Sequence, residues 1–286
     1  IALGILIGLF MVQRHGTARV GNLFGPIMLT WFLSLGMIGV WNIVDHPEVL
    51  IAISPHYAVM FFLQHREVAF LALGAVFLTV TGAEALYADM GHFGARPIRI
   101  AWLWIVMPAL VLNYFGQGAE LIGNPAAAEN PFFLAVPRWA LLPMVGLAAA
   151  ASAIASQALI TGAFSMTREL IQLGYCPRIV IQHTSGTQIG QIYVPFINRV
   201  LMVLVILVVI GFRSSSNLAA AYGIAVSMTM IVTSLLAFSV VRRDWNWPTP
   251  VAALVFIPLM SMDLSFFTAN TTEIGDGGWV PLVLAG

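Results

Sequence analysis

The chain has 286 residues, of which 60% are hydrophobic and only 8% are charged, and its formal net charge is zero. A soluble domain carries about 25% charged residues, so this composition cannot cover a surface in water and predicts a polytopic membrane protein. The balanced charge, with arginine as the only basic residue type, excludes a polybasic segment that binds nucleic acid. The lone cysteine, Cys176, excludes an internal disulfide and a CxxC metal or redox site.

The ends of the sequence are apolar. It opens with IALGILIGLF, without a methionine, and it stops within the hydrophobic run GGWVPLVLAG. Neither end has the form of a signal peptide. We interpret the sequence as an internal fragment of a longer protein.

Membrane-spanning segments are predicted from the charge-free intervals, because a helix needs about 20 apolar residues to cross the hydrocarbon core. These intervals predict spans, or parts of spans, at 1–12, 26–44, 67–88, 100–117, 140–166, 193–212, 217–241, 249–268 and 278–286. Segment 50–64 is apolar but short and interrupted by Pro55, which favours an interfacial or partly buried segment. If the loop at 13–25 is cytoplasmic, nine of the 12 arginines fall on that side, in agreement with the positive-inside rule.

One acid follows an apolar run at the end of the predicted span 67–88. Glu84 lies three residues after Thr81, so the two share one face of a helix, and Gly82 lies between them. A Thr-Gly pair deep in a span allows the helix to unwind and frees carbonyl oxygens that can hold a cation. An acid inside the membrane indicates an ion or proton path. The alternative is an interfacial carboxylate at a helix end, because Asp89 and His92 follow closely.

Other predicted spans also carry polar side chains. Gln157, Thr161 and Ser165 are spaced four residues apart, which is typical of contacts that join membrane helices. Tyr222, beside a glycine in the middle of a span, needs a polar partner, and an ion site would supply one. Asp263 is either a member of a buried pair or a residue of the outer interface. No P-loop, GxSxG, HExxH or complete GxGxxG motif is present, so we predict that the protein is not an enzyme and has no cofactor.

Several blocks of the sequence, taken together and in order, resemble one known family. They are QRHGTARVGNLFGPIMLTWF (13–32), TGAEALYADMGHFG (81–94), NYFGQGA (113–119), IASQALITGAFSMTR (154–168), GQIYVPFIN (190–198), SSNLAAAYGIAVSMTM (215–230) and FFTANTTEIGDGGWVPL (266–282). The sequence is similar over its whole length to the Kup/HAK/KT potassium uptake transporters, in their bacterial form.

The resemblance implies an all-α, twelve-helix, LeuT-like transporter of the APC superfamily, built on two inverted repeats. Residues 1–286 would run from the fourth to the twelfth helix, with the second repeat at 67–241, and would lack the first three helices and a cytoplasmic C-terminal domain. It implies potassium–proton symport across the inner (plasma) membrane. Thr81 and Tyr222 would be potassium ligands, Gly82 would lie at the helix break, and Glu84 would couple the proton.

The partners expected from this resemblance are potassium, protons and the lipid bilayer, with a homodimer as a candidate assembly and no nucleic acid. Two further classes of function stay open. One is an amino-acid or amine transporter on the same fold, because a fold does not determine a substrate. The other is a membrane-embedded sensor or scaffold, which the short loops disfavour. A channel would be distinguished from a symporter by flux that does not depend on protons.

Overall fold

The structure, a computed structural model, describes residues 2–15, 18–79, 81–82, 94–183 and 192–285. Helices dominate these residues. In chain order they are α1 Ala2–Val12, α2 Ala18–Asp45, α3 Pro55–Gln64, α4 Arg66–Thr79, α5 Ala95–Gly123, α6 Pro131–Leu134, α7 Leu141–Gln172, α8 Pro195–Phe212, α9 Ser215–Arg243, α10 Thr249–Thr271 and α11 Trp279–Ala285. Two short antiparallel strands, β1 Gln182–His183 and β2 Ile192–Tyr193, lie between α7 and α8.

Six helical segments of the described chain are long and apolar enough to cross a membrane. They are Leu23–Asp45 of α2, α5, the segment Arg138–Gln172 that contains α7, and α8, α9 and α10. A segment of 23 residues such as Leu23–Asp45 is about 35 Å long, which exceeds the hydrocarbon thickness of about 30 Å. The prediction of an all-α polytopic membrane protein is therefore confirmed.

The predicted boundaries differ from the observed ones where proline or glycine changes the backbone. The predicted span 193–212 begins at Pro195, because Ile192–Tyr193 pairs as a strand and proline suits the first position of a helix. The predicted span 100–117 is part of the longer α5, which contains a π-helical turn at Trp102–Val106 just before Pro108. The predicted span 67–88 is not one continuous helix over its described residues, because α4 ends at Thr79.

Segment 50–64 contains no membrane-length helix. A 3₁₀ helix, Pro47–Ile53, and α3 are separated at Ser54, where the backbone is extended before Pro55. The 10 residues of α3 extend about 15 Å, half of what a span needs. Its interfacial location stays a prediction.

The chain divides into two compact units. Unit 1 comprises Ile1–Ile53 and Ala83–Ile206, and unit 2 comprises Ser54–Gly82 and Leu207–Gly286. In unit 1, α2 packs along α5, and two hydrophobic clusters form around Leu35 and around Phe164. In unit 2, α10 packs against both α9 and α4.

Candidate functional site: the end of α4

The end of α4 lies at the end of the apolar run VAFLALGAVFLTV, residues 68–80. α4 stops at Thr79, and Gly82 adopts a φ of 106°, a left-handed conformation that glycine tolerates without steric cost. Two hydroxyls bond back to the last turn: Thr79 Oγ1 donates to the Val76 carbonyl at 2.7 Å, and Thr81 Oγ1 donates to the Leu78 carbonyl at 2.9 Å. The backbone at Thr81 and Gly82 is therefore not helical.

This helix end is suited to attracting a cation. The last four carbonyl groups of a helix lack backbone N–H partners within the helix, and the helix dipole places about half a negative charge there. In α4, two of these carbonyls, those of Val76 and Leu78, accept hydrogen bonds from the threonine hydroxyls. Thr81 adds a hydroxyl oxygen, which is partly buried. Carbonyl and hydroxyl oxygens are the groups that replace the hydration shell of an alkali cation.

Tyr222, the second predicted ligand, lies on α9 in the same unit. α9 contacts α4, the helix that precedes Thr81. Tyr222 is 44% exposed, and its hydroxyl makes no hydrogen bond to any residue that the structure describes. The polar partner expected for Tyr222 is thus not among the described protein groups.

The predicted proton-coupling acid, Glu84, lies outside the described residues, as do Asp89 and His92. Its role stays a prediction. Within the described ranges, no three His, Cys, Asp or Glu side chains come together as a metal site.

Asp263 resolves the alternative that the sequence left open. Its side chain, on α10, is only 6% exposed, and its Oδ2 accepts a hydrogen bond of 2.5 Å from Ser234 Oγ on α9. Asp263 is therefore a member of a buried pair. The Ser234 hydroxyl thus gives the buried carboxyl group a polar partner, which offsets part of the cost of burying it.

The sequence pattern predicted Gln157 as a contact residue between helices but gave no sign of its partner in unit 1, Gln13. Gln157 of α7 forms a reciprocal pair with Gln13: each amide nitrogen donates to the other amide oxygen, one of these bonds measuring 3.0 Å. Gln157 Nε2 also lies 3.3 Å from Thr161 Oγ1. The contact confirms that Gln157 joins helices, and Gln13 gave no signal because it lies at the end of the apolar run 1–12.

The fold defines a polytopic α-helical membrane protein in which α4 ends at Thr79, before the non-helical Thr81 and Gly82. The profile of the K+ potassium transporter integral membrane domain matches residues 1–286, so the chain belongs to that family.

Among curated proteins, the chain is similar to three bacterial proteins named as probable potassium transport system proteins of the Kup type. It is 58% identical to Kup 2 of Chromobacterium violaceum over 283 residues, 58% identical to Kup of Thiobacillus denitrificans over 288 residues, and 55% identical to Kup of Cupriavidus pinatubonensis over 284 residues. These matches cover 99–100% of this chain but only 45–46% of each relative, so the chain spans about half the length of the relatives it matches. No solved structure matches the chain significantly.

Proposed function

We propose that the complete protein containing this chain takes up potassium across the inner membrane as a proton-coupled secondary transporter. Membership of the potassium transporter family and the names of the relatives support potassium as the cargo. The observation that carries the proposal is the end of α4, where a helix stops within an apolar stretch and presents carbonyl and hydroxyl oxygens beside Gly82.

The first physical requirement for this function is removal of water from the potassium ion. Potassium crosses hydrocarbon only if protein oxygens replace its water, and the carbonyl end of a helix supplies both oxygens and partial negative charge. Entry into a cell that is negative inside gains about 2.3 kcal/mol per 100 mV for each positive charge. Coupling to a proton adds a second driving force, which requires an acid that takes up and releases that proton.

In this proposal, Thr81 and Tyr222 contribute oxygen ligands to potassium, and Gly82 permits the break. Glu84 exchanges the proton. The scaffold we propose is a LeuT-like arrangement with inverted repeats, in which residues 67–241 form the second repeat and this chain extends from the fourth to the twelfth helix. The non-helical backbone at Thr81 and Gly82, after the apolar α4, is the feature that favours this arrangement, because such folds place broken helices at the substrate site.

The test is uptake of rubidium, as a potassium analogue, by the complete protein in liposomes with an imposed proton gradient. We expect uptake that potassium inhibits and that falls when an ionophore collapses the proton gradient. Uptake that persists without the gradient would indicate a channel. Proton-driven uptake of amino acids in place of rubidium would indicate the alternative substrate class, and either result would overturn the proposal.

The proposed role of Glu84 has its own test in the same liposomes. Glu84→Gln keeps the size and removes the exchangeable proton, so we expect the proton dependence of uptake to disappear while the amount of folded protein is unchanged. Glu169→Gln is the matched control, because Glu169 is an exposed acid that pairs with Arg168 on α7. Unaltered pH-dependent uptake in Glu84→Gln would exclude this acid from coupling.

A further inference from the structure

An asparagine lies at the junction of three helices in unit 2. Asn270, on α10, is 1% exposed. A glycine from each neighbouring helix faces it: Gly74 of α4 and Gly223 of α9. A Cβ at position 223 would lie 2.2 Å from the Asn270 Oδ1 atom and 3.0 Å from its Cγ, so any larger residue there requires the Asn270 amide to move.

The two glycines do not face Asn270 equally. A Cβ on Gly74 would lie 3.7 Å from the Asn270 Oδ1, which is ordinary van der Waals contact. Alanine therefore fits at 74 without any change, whereas at 223 it fits only if the Asn270 amide is displaced. The amide of Asn270 therefore lies closer to the backbone of α9 than to the backbone of α4.

One hydrogen bond fixes the direction of the Asn270 amide. Asn270 Nδ2 donates to the Phe266 carbonyl at 2.8 Å, one turn earlier in α10. The amide oxygen, Oδ1, is the atom that lies nearest to Gly223. The position of the amide therefore depends on a bond within α10 and on its contact with α9.

The two glycines of the junction are close in sequence to both parts of the proposed ion site. Gly223 directly follows Tyr222, and Gly74 lies five residues before the end of α4 at Thr79. The last turns of α4 are also held to α10 by the Phe77 and Phe266 rings, whose centroids are 5.0 Å apart. Phe266 is the same residue whose carbonyl orients Asn270.

We infer that Asn270 is a positioning residue: its amide is a wedge that sets the distance between the end of α4 and the segment of α9 that carries Tyr222. This inference rests on the proposed function. The wedge determines how closely oxygens from the two helices surround a cation, and so it contributes to the choice between potassium and larger or smaller alkali ions.

The experiment measures uptake of rubidium by the complete protein in liposomes, with competition by potassium, caesium and sodium, for Gly223→Ala, Gly74→Ala and wild type. We expect Gly223→Ala to displace the wedge and to weaken the apparent potassium affinity roughly tenfold, because small displacements of positioning groups have effects of this size or larger. The ratio of potassium to caesium affinities is expected to change as well. Gly74→Ala is expected to resemble wild type.

A second pair of variants tests the contact itself. Asn270→Ala removes the wedge and makes room for a methyl group at 223, so Asn270→Ala combined with Gly223→Ala is expected to be no worse than Asn270→Ala alone in both affinity and melting temperature. Equal effects of Gly74→Ala and Gly223→Ala would overturn the inference. The inference would also be overturned if Gly223→Ala lowered the maximal rate of rubidium uptake but left the ratio of potassium to caesium affinities unchanged. A purely structural role predicts that result.

Failure of the inference and failure of the proposed function are distinguishable. If wild-type protein takes up rubidium under a proton gradient and the variants keep the wild-type ratios of ion affinities, the positioning role of Asn270 is wrong and the proposed function stands. If wild-type protein takes up no alkali cation, the proposed function and the inference that rests on it are both overturned.

Discussion

Two close helix crossings, one in each unit, differ in what the glycine at the crossing faces. In unit 1, a Cβ on Gly39 of α2 would lie 2.3 Å from the Leu112 carbonyl oxygen, and one on Gly116 would lie 2.5 Å from the Gly39 Cα, so backbone meets backbone. In unit 2, Gly223 faces the end of the Asn270 side chain. A backbone cannot move without displacing a whole helix, whereas a side chain can rotate.

The buried polar groups differ in the same way. In unit 1, side-chain amides reach across to other elements: Gln13 to Gln157, Asn42 to the Ala135 carbonyl at 2.9 Å, and Asn198 to the Phe10 carbonyl at 3.1 Å. Among the described residues of unit 2, the corresponding bond is Ser234 to Asp263. Side-chain amides thus connect separate elements of unit 1, whereas a hydroxyl–carboxyl pair does so in the described part of unit 2.

The largest expected effect tests the backbone contact of unit 1. Gly39→Ala forces α2 away from α5, and we expect a loss of about 1–3 kcal/mol or more in the free energy of unfolding, as for overpacked cores. Gly36→Ala is the control on the same helix, because a Cβ there would lie 3.7 Å from the Ala109 Cα. Thermal unfolding in detergent measures both. A Gly39→Ala protein as stable as Gly36→Ala would remove the distinction between the units.

The second prediction tests the buried pair of unit 2. Ser234→Ala leaves the Asp263 carboxyl group without its donor, and we expect a loss of about 1–3 kcal/mol in unfolding free energy. Asp263→Asn retains an acceptor oxygen for the Ser234 hydroxyl, so its loss is expected to be smaller. Ser239→Ala is the control, because that exposed hydroxyl bonds only to the Leu235 carbonyl of its own helix. A Ser234→Ala protein that melts at a higher temperature than Asp263→Asn or Ser239→Ala would contradict the pairing of Ser234 with Asp263.

The third prediction tests the amide pair that connects two elements of unit 1. In a double-mutant cycle of Gln13→Ala and Gln157→Ala, we expect a coupling free energy of about 0.6–1.7 kcal/mol, the range for hydrogen bonds between membrane helices. The same cycle between Gln13 and Gln117, whose amide bonds within α5 to Asn113 at 2.7 Å, is expected to give no coupling. Additive effects of the Gln13 and Gln157 changes would show that this pair does not join the helices.

The fourth prediction concerns transport by unit 2. Thr81→Val keeps the shape of the side chain and removes one oxygen, so we expect the apparent potassium affinity to fall about three- to tenfold, corresponding to the loss of one hydrogen-bonding group. Thr233→Val is the control, since Thr233 is an exposed residue that bonds to the Thr229 carbonyl of its own helix. Wild-type affinity in Thr81→Val would remove Thr81 from the ligand set.

The smallest expected effect lies outside the membrane spans, in unit 1. A backbone hydrogen bond of Glu48 and, second, the neighbouring His46 at 3.2 Å lower the pKa of the Glu48 carboxyl group below its ordinary value. Because the folded-state pKa is the lower one, the contribution to stability is present above the unfolded-state pKa and is lost as the pH falls through the folded-state pKa. We expect Glu48→Gln to reduce the acid dependence of the melting temperature slightly, and an identical acid profile would exclude this contribution.

The sequence by itself determined the class of protein, the approximate membrane segments and the family. These follow from composition, from the length of apolar runs and from short motifs, all of which are local properties. It also indicated the break after α4, because glycine and threonine next to each other in an apolar stretch are a local signal. The ion ligands among Thr81, Gly82, Glu84 and Tyr222 stay predictions.

Only the tertiary structure decided which polar side chains are partners. Gln13 and Gln157 are 144 residues apart, and Ser234 and Asp263 are 29 apart. Such pairs depend on how each helix is rotated about its axis and where it crosses its neighbour, and hydropathy does not encode either when helices are apolar on all sides. For the same reason, the sequence did not distinguish Gly39, which faces a backbone, from Gly223, which faces the Asn270 amide.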